Sequence, residues 1–293
     1  MPETMKYARR ALDLVHEDDN LWRGAAEALV GLASWTNGDL ETAYHTYARG
    51  TARVRMDWNL TDAISNAIYL ADIRIAQGRL HEAMNIYEQS LQLATEHGES
   101  LQGTADLYVA VSEIQREHND LHAAMGQLLK SKELVKRTGI PENRYRWSIA
   151  MARLRQAQGD LEGALDLLRE AERLYVRDFS PNVRPVAALR ARVWIAQGKL
   201  REALTWAREQ GLSAEDDLSY MREFEHITLA RILLARNESD RTDSTIREAI
   251  GLLERLLQAA QEGGRIGSVI EILVLQALAH HAQRDFPAAL LLS

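Results

Sequence analysis

Three sets of side chains in this sequence have the chemistry to act: nine histidines, a ladder of charged residues at regular spacing, and six tryptophans. Only His118 with His122, and His280 with His281, stand close together. The first pair straddles an expected turn, and neighbours on a helix point roughly 100° apart, so neither pair converges on a metal. No Ser/His/Asp order is present, and Gly198-Lys199 is followed by Leu200 rather than a hydroxyl that could meet a phosphate-bound Mg²⁺. Without cysteine there is no thiolate ligand or thiol nucleophile. The expectation is a non-enzyme with no catalytic residue, no metal ligand and no cofactor site.

The ladder points to binding. Leu32, Asp72, Glu113, Arg153, Arg192 and Arg231 follow one another at intervals of 39 to 41 residues. In a solenoid of helical hairpins the first helix of each unit lines the concave face. If this register faces inward, its passage from acidic to basic suits an anionic or sugar-like ligand, or a charged partner segment. The alternative is that Glu113, Arg153 and their neighbours form ion pairs between repeats, each contributing little. Aromatic faces also stack on sugar rings. Trp35 and Trp194, in first helices near a turn, are the tryptophans singled out for such contact. Packing between helices is the ordinary role of Trp147 and Trp206, while Trp58 sits in an expected outer loop and Trp22 precedes the first full repeat.

The elements that carry these residues are legible from a repeat. TNGDLETA (residues 36–43), AQGRLHEA (76–83), EHNDLHAA (117–124), AQGDLEGA (157–164) and AQGKLREA (196–203) align on Gly38, Gly78, Asn119, Gly159 and Gly198, with a period of 39 to 41 residues. A turn between two helices needs a left-handed residue; glycine takes that conformation freely and asparagine is the next most tolerant type. A sixth turn is expected at Asn237, with an insertion before Ile246, and a seventh at Arg284. Asp39, Asp120, Asp160 and Asp285 follow turns at helix starts, where negative charge is favoured. Seven residues before each turn stand Gly31, Ala71, Ser112, Ala152, Ala191, Ala230 and Ala277, all small. Five residues after the first five turns come Ala43, Ala83, Ala124, Ala164 and Ala203. Small residues on facing helices let antiparallel backbones approach and stack into a solenoid. The outer connections fall at 56–61, 98–103, 139–143, 178–185, 211–217 and 263–264, where most of the Gly and Pro lie.

The fold expected is therefore all-α: a right-handed superhelix of about seven tetratricopeptide-like hairpins, forming a single domain over residues 1–293. At 46% hydrophobic and 26% charged the chain has ample core-forming material. Its formal charge of −7 argues against a nucleic-acid surface. No apolar run reaches the roughly 18 residues of a membrane span, and the N-terminus lacks a signal-peptide core. A cytoplasmic location, with no membrane and no bound nucleic acid, is expected.

The two-helix unit is similar to a tetratricopeptide repeat, lengthened from about 34 to about 40 residues. The chain more closely resembles the repeat domain of MalT-type regulators, the LuxR-family large ATP-binding transcription activators of bacteria. The repeat itself, GLSAEDDLSYMREFEHITLARILLA (211–235) and GRIGSVIEILVLQALAHHAQ (264–283) carry the resemblance. It implies an NTPase module before the repeats and a LuxR-type helix-turn-helix after them, neither within this sequence, so that the chain reads as a middle domain excised from a larger regulator. ATP would then belong to that missing module. The implied function is a sensor and interaction domain that receives a small-molecule inducer, sugar-like in character, and contacts its own NTPase module and other protomers. The alternative is a free-standing tetratricopeptide-like adaptor holding a peptide in its groove. Within the linker-like stretch, Glu215-Asp216-Asp217 reads as a charge cluster ahead of a helix start, or as an interdomain contact.

Overall fold

In the computed structural model the turn residues have the backbone expected of them. Gly38, Gly78, Asn119, Gly159 and Gly198 have φ of 84°, 76°, 61°, 82° and 72°, and Asn119 is the one described non-glycine residue with positive φ. The residue after each turn donates its N–H five residues back: Asp39 to Ser34 O, Arg79 to Arg74 O, Asp120 to Gln115 O, Asp160 to Arg155 O and Lys199 to Trp194 O, at 2.8–3.1 Å. These bonds satisfy carbonyls that the ending helix leaves unpaired. Three of the expected aspartates then cap the next helix. Asp39 accepts from Thr42 N at 3.1 Å, Asp120 from Ala123 N at 2.9 Å and Asp160 from Gly163 N at 3.0 Å.

The structure describes residues 2–54, 60–96, 103–138, 141–175, 181–240 and 243–283. Among them are fourteen α-helices and no strand, an all-α helical repeat fold. The described residues form two compact units, 1–181 and 182–293. The first holds α1 (Pro2–Leu14) and the hairpins α2 (Asn20–Thr36) with α3 (Leu40–Val54), α4 (Leu60–Ala76) with α5 (Leu80–Glu96), α6 (Thr104–Glu117) with α7 (Leu121–Thr138), and α8 (Pro141–Ala157) with α9 (Leu161–Leu174). The second holds α10 (Val186–Ala196) with α11 (Leu200–Glu209), α12 (Glu223–Asp240) with α13 (Asp243–Glu262), and α14 (Ile266–Ala282).

Within each unit the small residues sit where the helices close on one another. Ala71, Ala83, Ala164, Ala191, Ala203 and Ala230 are wholly buried. In the first unit Ile64, Ile68, Leu107 and Ile114 pack with Tyr87 around Ala71 and Ala83. In the second, Ile227, Ile232, Leu252, Leu253 and Ile272 pack around Ala191, Ala203 and Ala230.

Three expectations need correction. Asn237 lies inside α12, which runs on to Asp240. Asparagine tolerates a turn without imposing one, and here the apolar and small residues that follow each true turn are missing. Those roles pass to Ile246 and Ala249, both buried, so the helix continues until a second helix can dock. Pro141 begins α8 rather than sitting in a loop, as proline at the first helical position allows. Asp216 does not precede a helix start directly: a 3-10 turn at Tyr220–Arg222 intervenes before α12. Its carboxylate instead accepts from Ser213 N and lies against the Nε2 of wholly buried His226, both at 3.1 Å. Ser213 first and His226 second hold its pKa below the ordinary carboxylate value. Arg255 of α13 donates back to the carbonyls of Ala214 and Asp216, binding this stretch to the hairpin. The seventh turn at Arg284, with Asp285, and Trp58 lie outside the described residues.

Candidate functional site

The charged register falls on α4, α6, α8, α10 and α12; in the first unit α4, α6 and α8 lie side by side in succession, and in the second α10, α12 and α14 do. In the first unit Asp72 of α4 accepts a hydrogen bond from the Tyr87 hydroxyl of α5 at 3.0 Å. Glu113 of α6 and Arg153 of α8, one repeat apart, are paired directly. Arg153 also reaches Glu117 at 3.3 Å, and Arg116 approaches Glu113 at 3.5 Å, so this part of the ladder is a charge-balanced network.

In the second unit the charges do not balance. Arg192 of α10 and Arg231 of α12 converge on one carboxylate, Glu271 of α14. Arg192 Nη1 and Arg231 Nη2 each lie 2.8 Å from Glu271 Oε1, and Arg231 Nε donates to the same oxygen at 2.9 Å. Arg192 Nε donates to Thr228 Oγ1 at 2.9 Å, and that hydroxyl donates to Phe224 O at 2.7 Å. The third nitrogen, Arg192 Nη2, is buried and has no hydrogen-bond partner. The Arg192 guanidinium lies 3.7 Å from the centre of the Phe224 ring, and that of Arg184 lies 5.9 Å from it. Ring faces attract cations, so Phe224 holds both guanidiniums close despite their repulsion.

Electrostatics follow the geometry. Burial lowers the Arg192 pKa to about 9, although Glu271 acts in the opposite direction. Burial pushes Glu271 up, but Arg192 and Arg231 outweigh it and leave its pKa lowered. Three guanidiniums against one carboxylate make a site that favours negative charge.

The tryptophans separate. Trp35 is 3% exposed and packed into the first unit, so its faces are not presented to solvent. Trp194 is partly buried, with the Arg190 guanidinium 4.9 Å from its ring centre. Trp147 donates its indole N–H to Leu128 O at 2.8 Å, and Trp206 is buried in the second core. Among the described residues no group of three or more His, Asp or Glu side chains could hold a metal ion, and no helix is long and apolar enough to cross a membrane.

Sequence reasoning missed Glu271, Arg184, Phe224 and Thr228. A signal existed for Glu271: it lies 40 residues after Arg231, as Arg153 lies 40 after Glu113.

Residues 1–290 match the family described as the MalT-like TPR region, and the chain belongs to that family. No curated protein matches it in sequence. Among solved structures it is similar to a Rap protein complexed with Competence and Sporulation Factor, at 12% identity and a TM-score of 0.68, covering 98% of this chain and 76% of that one. It is also similar to NprR in complex with its cognate peptide NprX, at 17% identity and a TM-score of 0.61, covering 99% and 83%. A third is a signal transduction ATPase with numerous domains from Pyrococcus horikoshii, which has a tetratricopeptide repeat sensor. That match has 12% identity and a TM-score of 0.55, covering 95% of this chain and 43% of that one. At these identities the likenesses show the fold.

Proposed function

We propose that this chain is the sensor and interaction domain of a MalT-like transcriptional activator, receiving a small-molecule inducer and contacting a neighbouring NTPase module. The observation that carries the reading is the match of residues 1–290 to the MalT-like region. The similarity to an ATPase whose tetratricopeptide repeats are described as its sensor gives support from architecture. In this reading residues 1–293 act as one domain, the charged first-helix face receives the inducer or partner, and ATP binds the neighbouring module. A ligand switches such an assembly only by the difference between its affinities for two arrangements. Arg192, Arg231 and Glu271 come from three different helices, so a ligand there would bear on all three.

A second reading is favoured by the complex of NprR with its cognate peptide among the structural neighbours: an adaptor whose groove holds a peptide. The coding sequence on either side of this segment decides between them. An NTPase module before it and a LuxR-type helix-turn-helix after it are expected; a free-standing reading frame sinks the regulator and leaves the adaptor. Co-purification of the chain with that NTPase module, made as a separate polypeptide, then tests the contact directly.

A further inference from the structure

We propose that Arg184, Arg192 and Arg231 form the subsite for an anionic group on the inducer, with a phosphate monoester the best-matched chemistry; this rests on the sensor reading above. Charge favours an anion here. At neutral pH three cationic side chains face one carboxylate, an excess of two positive charges, which a phosphate dianion matches and a carboxylate only half matches. Charge left unpaired in a partly buried site is costly, and an entering anion removes that cost.

The donors outnumber their acceptors. Glu271 Oε1 alone takes the contacts from Arg192 Nη1 and from Arg231 Nε and Nη2. Arg192 Nη2 has no acceptor. Arg184 is exposed and has no hydrogen-bonded partner among the described residues; its guanidinium lies over the Phe224 ring at 5.9 Å. The planar forks of guanidinium groups match the oxygens of phosphate, and several can share one such group.

The first unit differs. The equivalent register of the first unit pairs Arg153 with Glu113 and Glu117, which leaves that cation satisfied. The excess is therefore local to α10 with the residues just before it, α12 and α14. Burial above all draws the Arg192 pKa down to about 9, and the Arg231 and Arg184 charges add to that against Glu271. Glu271 holds the place of the ligand's anion in part, so the two compete for the same donors.

Calorimetric titration of the whole chain at fixed ionic strength tests this, with inorganic phosphate, glucose 6-phosphate and glucose as probes. Both phosphates should bind, with affinity roughly tenfold weaker in Arg184→Gln. Arg184 is exposed, so that variant keeps the fold, and its unfolding temperature verifies this. Glu271→Gln should bind phosphate more tightly than the parent chain, because the competing carboxylate is gone. Equal phosphate affinity in the parent and Arg184→Gln overturns the proposal, as does absence of phosphate binding in all three proteins. Glucose binding as well as glucose 6-phosphate overturns the anion subsite and leaves the sensor reading standing. Phosphate binding that depends on Arg184, in a chain whose reading frame has no NTPase neighbour, supports the subsite and removes the regulator.

Discussion

The hydroxyl of Tyr87 donates to Asp72 Oδ1 at 3.0 Å, joining the two helices of one hairpin by a polar bond at the edge of an apolar core. Tyr87 is wholly buried, and burial first, then the Asp72 charge, raises its phenol pKa well above 10. The protonated phenol is the folded form, so its stabilisation is complete below the unfolded pKa near 10 and is lost as pH rises through the higher folded value. Urea midpoints should thus fall above about pH 10 in the parent chain and fall less steeply in Tyr87→Phe. At neutral pH that variant should lose about 1–3 kcal/mol, since Asp72 loses a donor.

The turns make a second, sharper prediction. Asn119 holds φ at 61° where four equivalent turns use glycine. Asn119→Gly should leave stability unchanged or raise it, and Asn119→Ala should lower it by about 1–2 kcal/mol. At Gly159 a Cβ would meet nothing within 4 Å, so the loss in Gly159→Ala is conformational alone, about 1 kcal/mol. Chemical denaturation of the three variants measures this; equal losses in the alanine and glycine variants of Asn119 would refute it.

Packing supplies the third. A Cβ on Gly31 would lie 2.8 Å from Tyr47 Cβ and 2.9 Å from Tyr47 N, where α2 closes on α3. The neighbouring backbone cannot yield cheaply, so Gly31→Ala should cost about 1–3 kcal/mol despite the better helix propensity of alanine. Thermal unfolding of the variant, compared with Gly126→Ala in the open middle of α7, separates the packing cost from propensity: Gly126→Ala should stabilise.

The fourth concerns a buried pair. Arg265, at the start of α14, contacts Glu223 Oε2 through Nε at 2.7 Å and through Nη2 at 2.6 Å, and Ser268 donates to the other carboxylate oxygen at 2.6 Å. Both charged side chains are less than a tenth exposed. Glu223→Ala strands a buried guanidinium and should cost about 3–5 kcal/mol. The exposed Lys136–Glu133 pair is a control of similar length: Glu133→Ala should leave the unfolding midpoint where it was.

The repeat was legible because its demands are local. A left-handed turn selects Gly or Asn, an N-cap selects Asp, and a close helix crossing selects Ala, so Gly78, Asp160 and Ala83 each announce themselves. Asn237 misled for the same reason, because tolerance of a turn is not a requirement for one. The site was half legible. Arg192 and Arg231 stand in register, but Glu271 is found by adding a period to Arg231 rather than by counting back from a turn. Phe224 and Thr228 gain their roles only from the approach of α10 to α12, which no local pattern encodes. Trp35 shows the converse: its type suits stacking on a sugar, and its place in α2 buries it.

Apart from the contact of Arg192 with Glu271, the hydrogen bonds described above reach at most 45 residues along the chain, the span from Ser268 to Glu223. Partners so near in sequence close small loops, and such loops form quickly. Each hairpin can thus find its neighbour while later segments are still being made, and the chain can acquire structure in the order in which a ribosome releases it.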